Sequence, residues 1–379
     1  MKLKIFEVIA EIPAAQWDAL AGKNPFLSHA YLNALQVCGC ATPQTGWHTQ
    51  FLTAWENDTM VGAIPLYFKT HSYGEFVFDW AWAEAYQRHG LRYYPKLVSS
   101  VPFTPVAGIR LLASSAEVRA ELIKGALQLT KDSGASSLHI IFPEEDQALE
   151  MQQQGMMLRH GFQLHWRNPG YADFEAYVAA MRRDKRKKVN QERRKVADAG
   201  ITFEHLTGEQ ITDEHWDFFM RCYDHTHRQF NSPQPLNRTF FQHISASMPQ
   251  NILLIVAIRD GNPIASALNF INQDTLYGRS WGALEQHQAL HFETCYYQAI
   301  EFCIAHKISL FEGGAQGEHK LARGFLPTTT WSAHWLAHPE FSHAVEDFLQ
   351  REAGGVDQYI DELNDSSPFK KGPAETKII

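Results

Sequence analysis

The chain has 379 residues, 45% of them hydrophobic and 20% charged, which excludes wholesale disorder and, at roughly 100–200 residues per domain, points to two domains. No apolar run reaches the roughly 18 residues of a membrane span, and Glu7 and Glu11 interrupt the hydrophobic start, so the expectation is a cytoplasmic chain that neither spans a membrane nor is secreted. The net charge of −8 hides an asymmetry: between Arg182 and Lys195 nine basic residues face two acids, a local +7 that leaves −15 for the rest.

In chain order, a helix is predicted over residues 17–21 and a second, capped by Ser28, through Tyr31, Leu32 and Leu35. FLTAWENDTMVGAIPLYF reads as a β-hairpin turning over residues 56–59, followed by the aromatic-rich GEFVFDWAWAEAY and by YYPKLVSSVPFTPV, whose prolines predict a loop with short extended pieces. Val118, Leu122, Ala126 and Leu129 recur at helical spacing, and SLHIIF from Ser137 reads as a buried strand. The second half repeats this order, with a helix over about 213–228, a strand meander turning at 260–263 and 272–274, a helix over about 290–306, and the strand SLFEGG. An offset of 203 places Ala54 on Ala257, Val61 on Ile264, Gly62 on Ala265 and Tyr67 on Phe270. The repeated order of helix, hairpin, helix and strand argues for a duplicated α/β unit. The expected division is 1–170, a basic connecting helix at 171–200, 201–363, and a peripheral tail at 364–379.

Val178, Met181, Val189 and Val196 share one face of the basic helix, while Arg183, Lys187, Asn190 and Arg194 occupy another. A solvated linker helix accounts for such a run, but the charge imbalance favours an anionic partner: phosphates of a nucleotide, of coenzyme A or of an RNA end. The densest polar cluster is FEGGAQGEHKLARGF, beginning at Phe311. Its glycines permit close approach of a ligand, and Glu318, His319, Lys320 and Arg323 supply a carboxylate, an imidazole and two cations. The alternative is a Gly-rich turn into a surface helix. Glu318 follows Gly317 directly, so the stretch is no P-loop. His291 and Glu293 are two residues apart and point away from one another on a helix; the helix dipole explains Glu293 as well as a site does. Asp224, His225, His227 and Arg228 read as a polar face rather than a metal site. The tract LHWRN, from Leu164, mixes stacking and charged groups that can edge a cleft. GxGxxG, HExxH and GxSxG are absent, which argues against hydride transfer, zinc hydrolysis and α/β-hydrolase chemistry. Five scattered cysteines without a CxxC pair argue against a disulfide framework, and no metal is expected.

RRDKRKKVNQERRKVADAGITF resembles the basic helix and following strand entry of the FemAB-like proteins, and FEGGAQGEHKLARGF resembles their late strand–loop motif with its lysine. The resemblance runs over most of the chain. It implies an α/β (α+β) fold of two tandem GNAT-like (acyl-CoA N-acyltransferase) domains, each a mixed, mostly antiparallel sheet flanked by helices. Family relatives transfer an aminoacyl group from aminoacyl-tRNA to an amine on a peptidoglycan precursor, and other GNAT proteins use acetyl-CoA. No tightly bound cofactor is therefore expected, and acyl-CoA or aminoacyl-tRNA is the expected co-substrate. Motif matching carries over Arg186, Arg193, Arg194, Gly313, Gly314 and Gly317 as donor- or phosphate-binding residues, together with Lys320. The usual pyrophosphate pattern, Q/R-x-x-G-x-G/A, has its nearest match in Arg279-Ser280-Trp281-Gly282-Ala283-Leu284, which departs from it at Leu284. The coiled-coil arm of some tRNA-dependent relatives is not evident.

The expected activity is N-acyl or aminoacyl transfer to an amine, on a small molecule or a cell-wall precursor. Glu318 or Glu293 is assigned the base role, Lys320 and N–H groups near Gly314 the oxyanion, the basic helix the donor phosphates, and His291, His319, Arg323, Arg279 and Trp281 the substrate. A non-catalytic recognition protein for a peptidoglycan precursor or another anionic ligand needs the basic helix but not the glutamates. Sequence-general nucleic-acid binding is disfavoured by the −15 background.

Overall fold

A computed structural model of the chain describes residues 1–314 and 317–370; Ala315 and Gln316 of the Gly-rich stretch and residues 371–379 of the expected tail lie outside them. The strands in chain order are β1 (Lys2–Phe6), β2 (Trp47–Thr49), β3 (Phe51–Glu56), β4 (Thr59–Ile64), β5 (Tyr67–Lys69), β6 (Lys96–Ser99), β7 (Ser137–Ile141), β8 (Met157–Arg167), β9 (Ile201–Thr207), β10 (Ile252–Arg259), β11 (Asn262–Ile271), β12 (Thr275–Ala283), β13 (Leu310–Glu312) and β14 (Leu326–Leu336).

The internal duplication is visible strand by strand. The β3–β4 hairpin turns between Glu56 and Thr59 and the β10–β11 hairpin between Arg259 and Asn262, the same positions shifted by 203. Each hairpin also shifts register at the same place, between Ala54 and Trp55 in one and between Ala257 and Ile258 in the other. Bulges are specific devices that bend a strand, so an equivalent pair marks a shared ancestor rather than two independent hairpins. Where β11 runs unbroken, Pro65 separates β4 from β5, because proline has no N–H to give a ladder. Next, β5 pairs with β6, and β11 with β12, antiparallel. A helix then leads to a parallel partner: Ala116–Asp132, capped by Ser115, joins β6 to β7, and the helical stretch from Leu290 to Ala305 joins β12 to β13. The two repeats also differ at the next junction. Asn272 to Asp274 connect β11 to β12, whereas residues 70–95 separate β5 from β6.

Chain contacts divide the molecule into a first unit of Met1–Phe162, Pro235–Met248 and Thr329–Gln358, and a second of Gln163–Gln234, Pro249–Thr328 and the chain from Tyr359. This partition differs from the expected 1–170, 171–200 and 201–363. The basic helix, Arg183–Asp198, lies within the second unit, and the helix Arg238–Ser247 belongs to the first. In the first unit β2, β5, β6, β7 and the end of β14 form one sheet and β1, β3 and β4 another; in the second the order is β8-β13-β12-β11-β10-β9. Each unit is therefore built on mixed, mostly antiparallel sheet, divided into two in the first unit, and flanked by helices, the tandem GNAT-like arrangement.

The apolar seam of the basic segment buries Val178, Met181, Val189 and Val196, and its other face leaves Arg183, Lys187, Asn190 and Arg194 exposed. It is not one helix, however. Val178 sits on Phe174–Ala180, capped by Asp173, and the chain turns extended at Met181 and Arg182 before the basic helix starts. The tail is not wholly peripheral either: Arg182 N–H donates to Pro368 O at 2.9 Å, Lys370 N–H to Ala180 O at 3.1 Å, and the Phe369 ring occupies the space beside Gly324.

Candidate functional site

The second unit holds a cavity of about 300 Å³ where β12 and β13 part company. The parallel pairing covers only Thr275–Tyr277 against Leu310–Glu312. Beyond it β12 continues beside β11, while the chain after Glu312 turns away through Gly313 and Gly314. The walls come from Gly278, Arg279, Ser280 and Trp281 of β12, Asn269 of β11, Phe311 of β13 with Gly313 and Gly314 just after it, His291, Cys295 and Tyr296 of the crossover helix, and His319 and Lys320.

Local sequence explains the shape. The crossover helix carries a π-turn at Glu293–Tyr297, a wider turn that re-aims side chains and recurs at functional sites. A Cβ at Gly313 would stand 2.9 Å from the Phe325 ring and 3.3 Å from the Lys320 stem. Glycine there lets both close over the cavity. At Gly317, φ is +113°, a conformation that L side chains rarely adopt, and the His319 ring lies where a Cβ would point.

Lys320 lies on a short 3-10 turn, Glu318–Arg323, and is 3% exposed. Its Nζ donates to Gly314 O at 2.9 Å. Burial pushes the amine from its ordinary 10.5 down to about 8, with Arg279 adding to the effect. Burial also lowers His291 to about 4, and lowers His319, with Arg323 and Lys320 reinforcing both; each imidazole is neutral at pH 7. The Tyr296 hydroxyl and His319 Nε2 are 2.9 Å apart, and the His291 ring packs 5.1 Å from Trp281 and 5.7 Å from His319. Burial raises the Cys295 thiol, which argues against its use as a nucleophile.

Seven of the residues singled out from the sequence thus meet around one cavity: Arg279, Trp281, His291, Gly313, Gly314, His319 and Lys320. Others are placed elsewhere. Glu293 is 2% exposed and accepts from Arg193 Nε at 3.0 Å and Gln298 Nε2 at 2.8 Å, while Arg193 Nη2 donates to Glu301 at 2.8 Å. The expected base and the expected phosphate ligand therefore hold each other. Glu318 accepts from the Tyr359 hydroxyl at 2.6 Å and is not a wall of the cavity. Arg323 is buried; it donates to Glu192 at 2.8 Å and to His319 O at 2.7 Å, and stacks 3.4 Å from the Phe292 ring centre. That makes it a positioning residue for His319. Arg186 and Arg194 are not cavity walls, and Arg194 is exposed. Gly282, the glycine of the pyrophosphate-like pattern, serves a different end: a Cβ there would sit 2.2 Å from Cys222 O, on the helix Asp213–Gln229 packed against β12. His165 and Trp166 are buried in β8.

Asn269, Ser280, Cys295 and Tyr296 were missed. A lone Asn in the apolar run of β11 is a signal, because a buried amide needs partners. Tyr296 meets His291 only through the π-turn, which residue spacing does not disclose. Among the described residues no group of three or more His, Cys, Asp or Glu is arranged to hold a metal, and no helix is long and apolar enough to cross a membrane.

Comparison with solved structures finds the same fold over nearly the whole chain. The C-terminal domain of a putative lysylphosphatidylglycerol synthetase from Agrobacterium fabrum superposes with a TM-score of 0.57 at 10% identity, covering 90% of this chain and 96% of that one. FemX gives 0.57 at 10% identity, covering 91% and 100%. L-PGS from Bacillus licheniformis gives 0.55 at 10% identity, covering 89% and 97%. No curated protein matches the chain. The family model for FemAB-like proteins, described as peptidoglycan biosynthesis/recognition, matches residues 8–371, and the chain belongs to that family.

Proposed function

We propose that the second unit is a transfer centre that joins an activated acyl or aminoacyl group to an amine, with acyl-CoA or aminoacyl-tRNA as donor and a cell-wall precursor or related amine as acceptor. The observation that carries this reading is the buried Lys320 amine in a cavity between diverging parallel strands, beside two neutral imidazoles. The family description and the titles of the structural neighbours, FemX and lysylphosphatidylglycerol synthetases, support it.

The acceptor nitrogen attacks the donor carbonyl carbon, a C–N bond forms, and the carbonyl oxygen becomes an oxyanion. Protonated Lys320 and backbone N–H groups near Gly314 donate to that oxygen. Among the described residues no Asp or Glu lines the cavity, and the amine's proton passes to the neutral imidazole of His319, oriented by Tyr296. The tetrahedral intermediate then collapses: the C=O bond re-forms, the C–S or C–O bond to the donor breaks, and the proton held by His319 passes to the departing thiolate or ribose alkoxide.

Lys320→Ala is expected to cut transfer about 10²–10³-fold, the usual effect of losing one oxyanion donor, with an unchanged circular dichroism spectrum. Turnover at the wild-type rate removes Lys320 from the chemistry. The displacement of both glutamates from the cavity favours a second reading, ligand recognition without transfer. Thermal shifts with acetyl-CoA, longer acyl-CoAs, aminoacyl-tRNA and a UDP-linked precursor separate the two, since a ligand of the native state raises its melting temperature. Stabilisation by the precursor alone selects recognition.

A further inference from the structure

The first unit carries an insertion that its own duplicate lacks. Residues 70–95 stand where the second unit has only Asn272 to Asp274, and they reverse the usual sorting of side chains. Glu75 and Asp79 point inward, 2% and 4% exposed, and both are bound by the buried Lys96, Glu75 at 2.7 Å. Ser72 accepts from Lys96 at 2.8 Å and the Tyr93 hydroxyl donates to Asp79 at 2.6 Å. Four aromatic residues that alternate with or flank these acids point outward. Tyr73, Phe76, Phe78 and Trp80 are 38–61% exposed, with the Tyr73 and Trp80 rings 5.0 Å apart. Phe76 is held at φ +65°, a conformation that costs energy for an aromatic residue. Trp80 continues into a groove of about 440 Å³ walled also by Leu91, Arg92 and Tyr94. Among the described residues, five of the 14 exposed large apolar side chains fall in this one segment, a concentration that marks an interaction surface.

Charge selects the partner. With Glu75 and Asp79 opposed inside by two buried lysines, Lys96 and Lys69, the exposed ionic groups of the segment are Glu84, Arg88 and Arg92, and Glu84 lies 3.7 Å from Arg88. An acidic chain thus presents here an aromatic face with a net positive rim. We propose that this insertion docks the protein on an anionic lipid bilayer. Tyr73, Phe76, Phe78 and Trp80 enter the boundary between headgroups and acyl chains, where aromatic rings are favoured, and Arg88 and Arg92 meet lipid phosphates.

The test is co-sedimentation of the full chain with vesicles of equal parts phosphatidylglycerol and phosphatidylcholine, against vesicles of phosphatidylcholine alone. The wild type sediments with the anionic vesicles, less so as salt rises. Phe76→Ser/Phe78→Ser/Trp80→Ser lowers the partition coefficient by more than about tenfold. Arg88→Gln/Arg92→Gln, both exposed and harmless to the fold, lowers it by about tenfold on anionic vesicles. The arginine pair decides the matter should the triple variant not fold. Three outcomes overturn the proposal: a wild type that ignores anionic vesicles, variants that bind as the wild type does, or a concentration-dependent dimer that the triple variant abolishes without any vesicle binding.

Discussion

Replacing Lys320 by Met should stabilise the protein while destroying its activity. The structure sets the magnitude. A lysine whose pKa falls from 10.5 to about 8 on folding carries a charge that the fold disfavours by ~3 kcal/mol. Methionine fills the same space without a charge, and the loss of one hydrogen bond to Gly314 O takes back about 1 kcal/mol. The net gain at pH 7 is therefore about 1–3 kcal/mol, or a few degrees in melting temperature at roughly 2–4 °C per kcal/mol for a unit of this size. The sign with pH follows from the folded pKa lying below the unfolded one. The penalty is complete below pH 8, shrinks as pH rises, and vanishes near pH 10.5, where lysine is neutral in both states. Urea unfolding of wild type and Lys320→Met at pH 7 and at pH 10 reads this directly, following the transition that the substitution moves, because two units need not unfold as one. The reasoning fails if the variant is less stable at pH 7, or if its advantage is the same at both pH values. A residue that costs stability and is nevertheless present is what a catalytic role requires.

Two further substitutions test the packing. Gly282→Ala drives a methyl group to 2.2 Å from Cys222 O and 2.5 Å from its carbonyl carbon, so a whole helix must retreat; a loss of about 1–3 kcal/mol is expected in thermal melts, and an unshifted melt would return Gly282 to a role in anion binding. Lys96→Met leaves Glu75 and Asp79 buried without their cation and should cost about 3–5 kcal/mol at pH 7.5, less at pH 5 where the carboxyls take up protons; a loss below about 1 kcal/mol would show the ionic cluster to be dispensable.

What the sequence disclosed about the site was what lies close along the chain. Gly313, Gly314, Gly317, His319 and Lys320 fall within eight residues, and a glycine-rich exit from a strand signals open backbone whatever the rest of the fold does. The surroundings of Glu293 were hidden for the opposite reason. Its partner Arg193 is 100 positions away, and only the docking of the basic helix brings the two together. Asn269 reaches the cavity through the register that sets it opposite Gly278, and Tyr296 through a π-turn, neither of which residue spacing encodes. The basic segment misled in its middle: helical periodicity runs straight across Met181 and Arg182, yet the chain is extended there and Met181 pairs with Phe369 of the tail.

The duplication lets the proposed transfer site be compared with the same place in the other half once register is known. The last parallel pairs are Ser99 with Ile140 in the first unit and Tyr277 with Glu312 in the second. Two residues beyond stand Phe142 and Gly314, and both take positive φ, +56° and +83°, so the chain turns the same way in both units. In the second unit the absent side chain leaves the strands parted around the cavity that Lys320 enters. In the first, Phe142 packs with Val98 and Ile141, and Arg110, fully buried, donates to Ile141 O at 2.9 Å and to Val106 O at 2.7 Å. The equivalent gap is thus filled by the unit's own side chains. FPEE after one strand and GGAQ after the other is a difference that the sequence displays, but it acquires meaning only when the two strands are seen to be the same strand repeated.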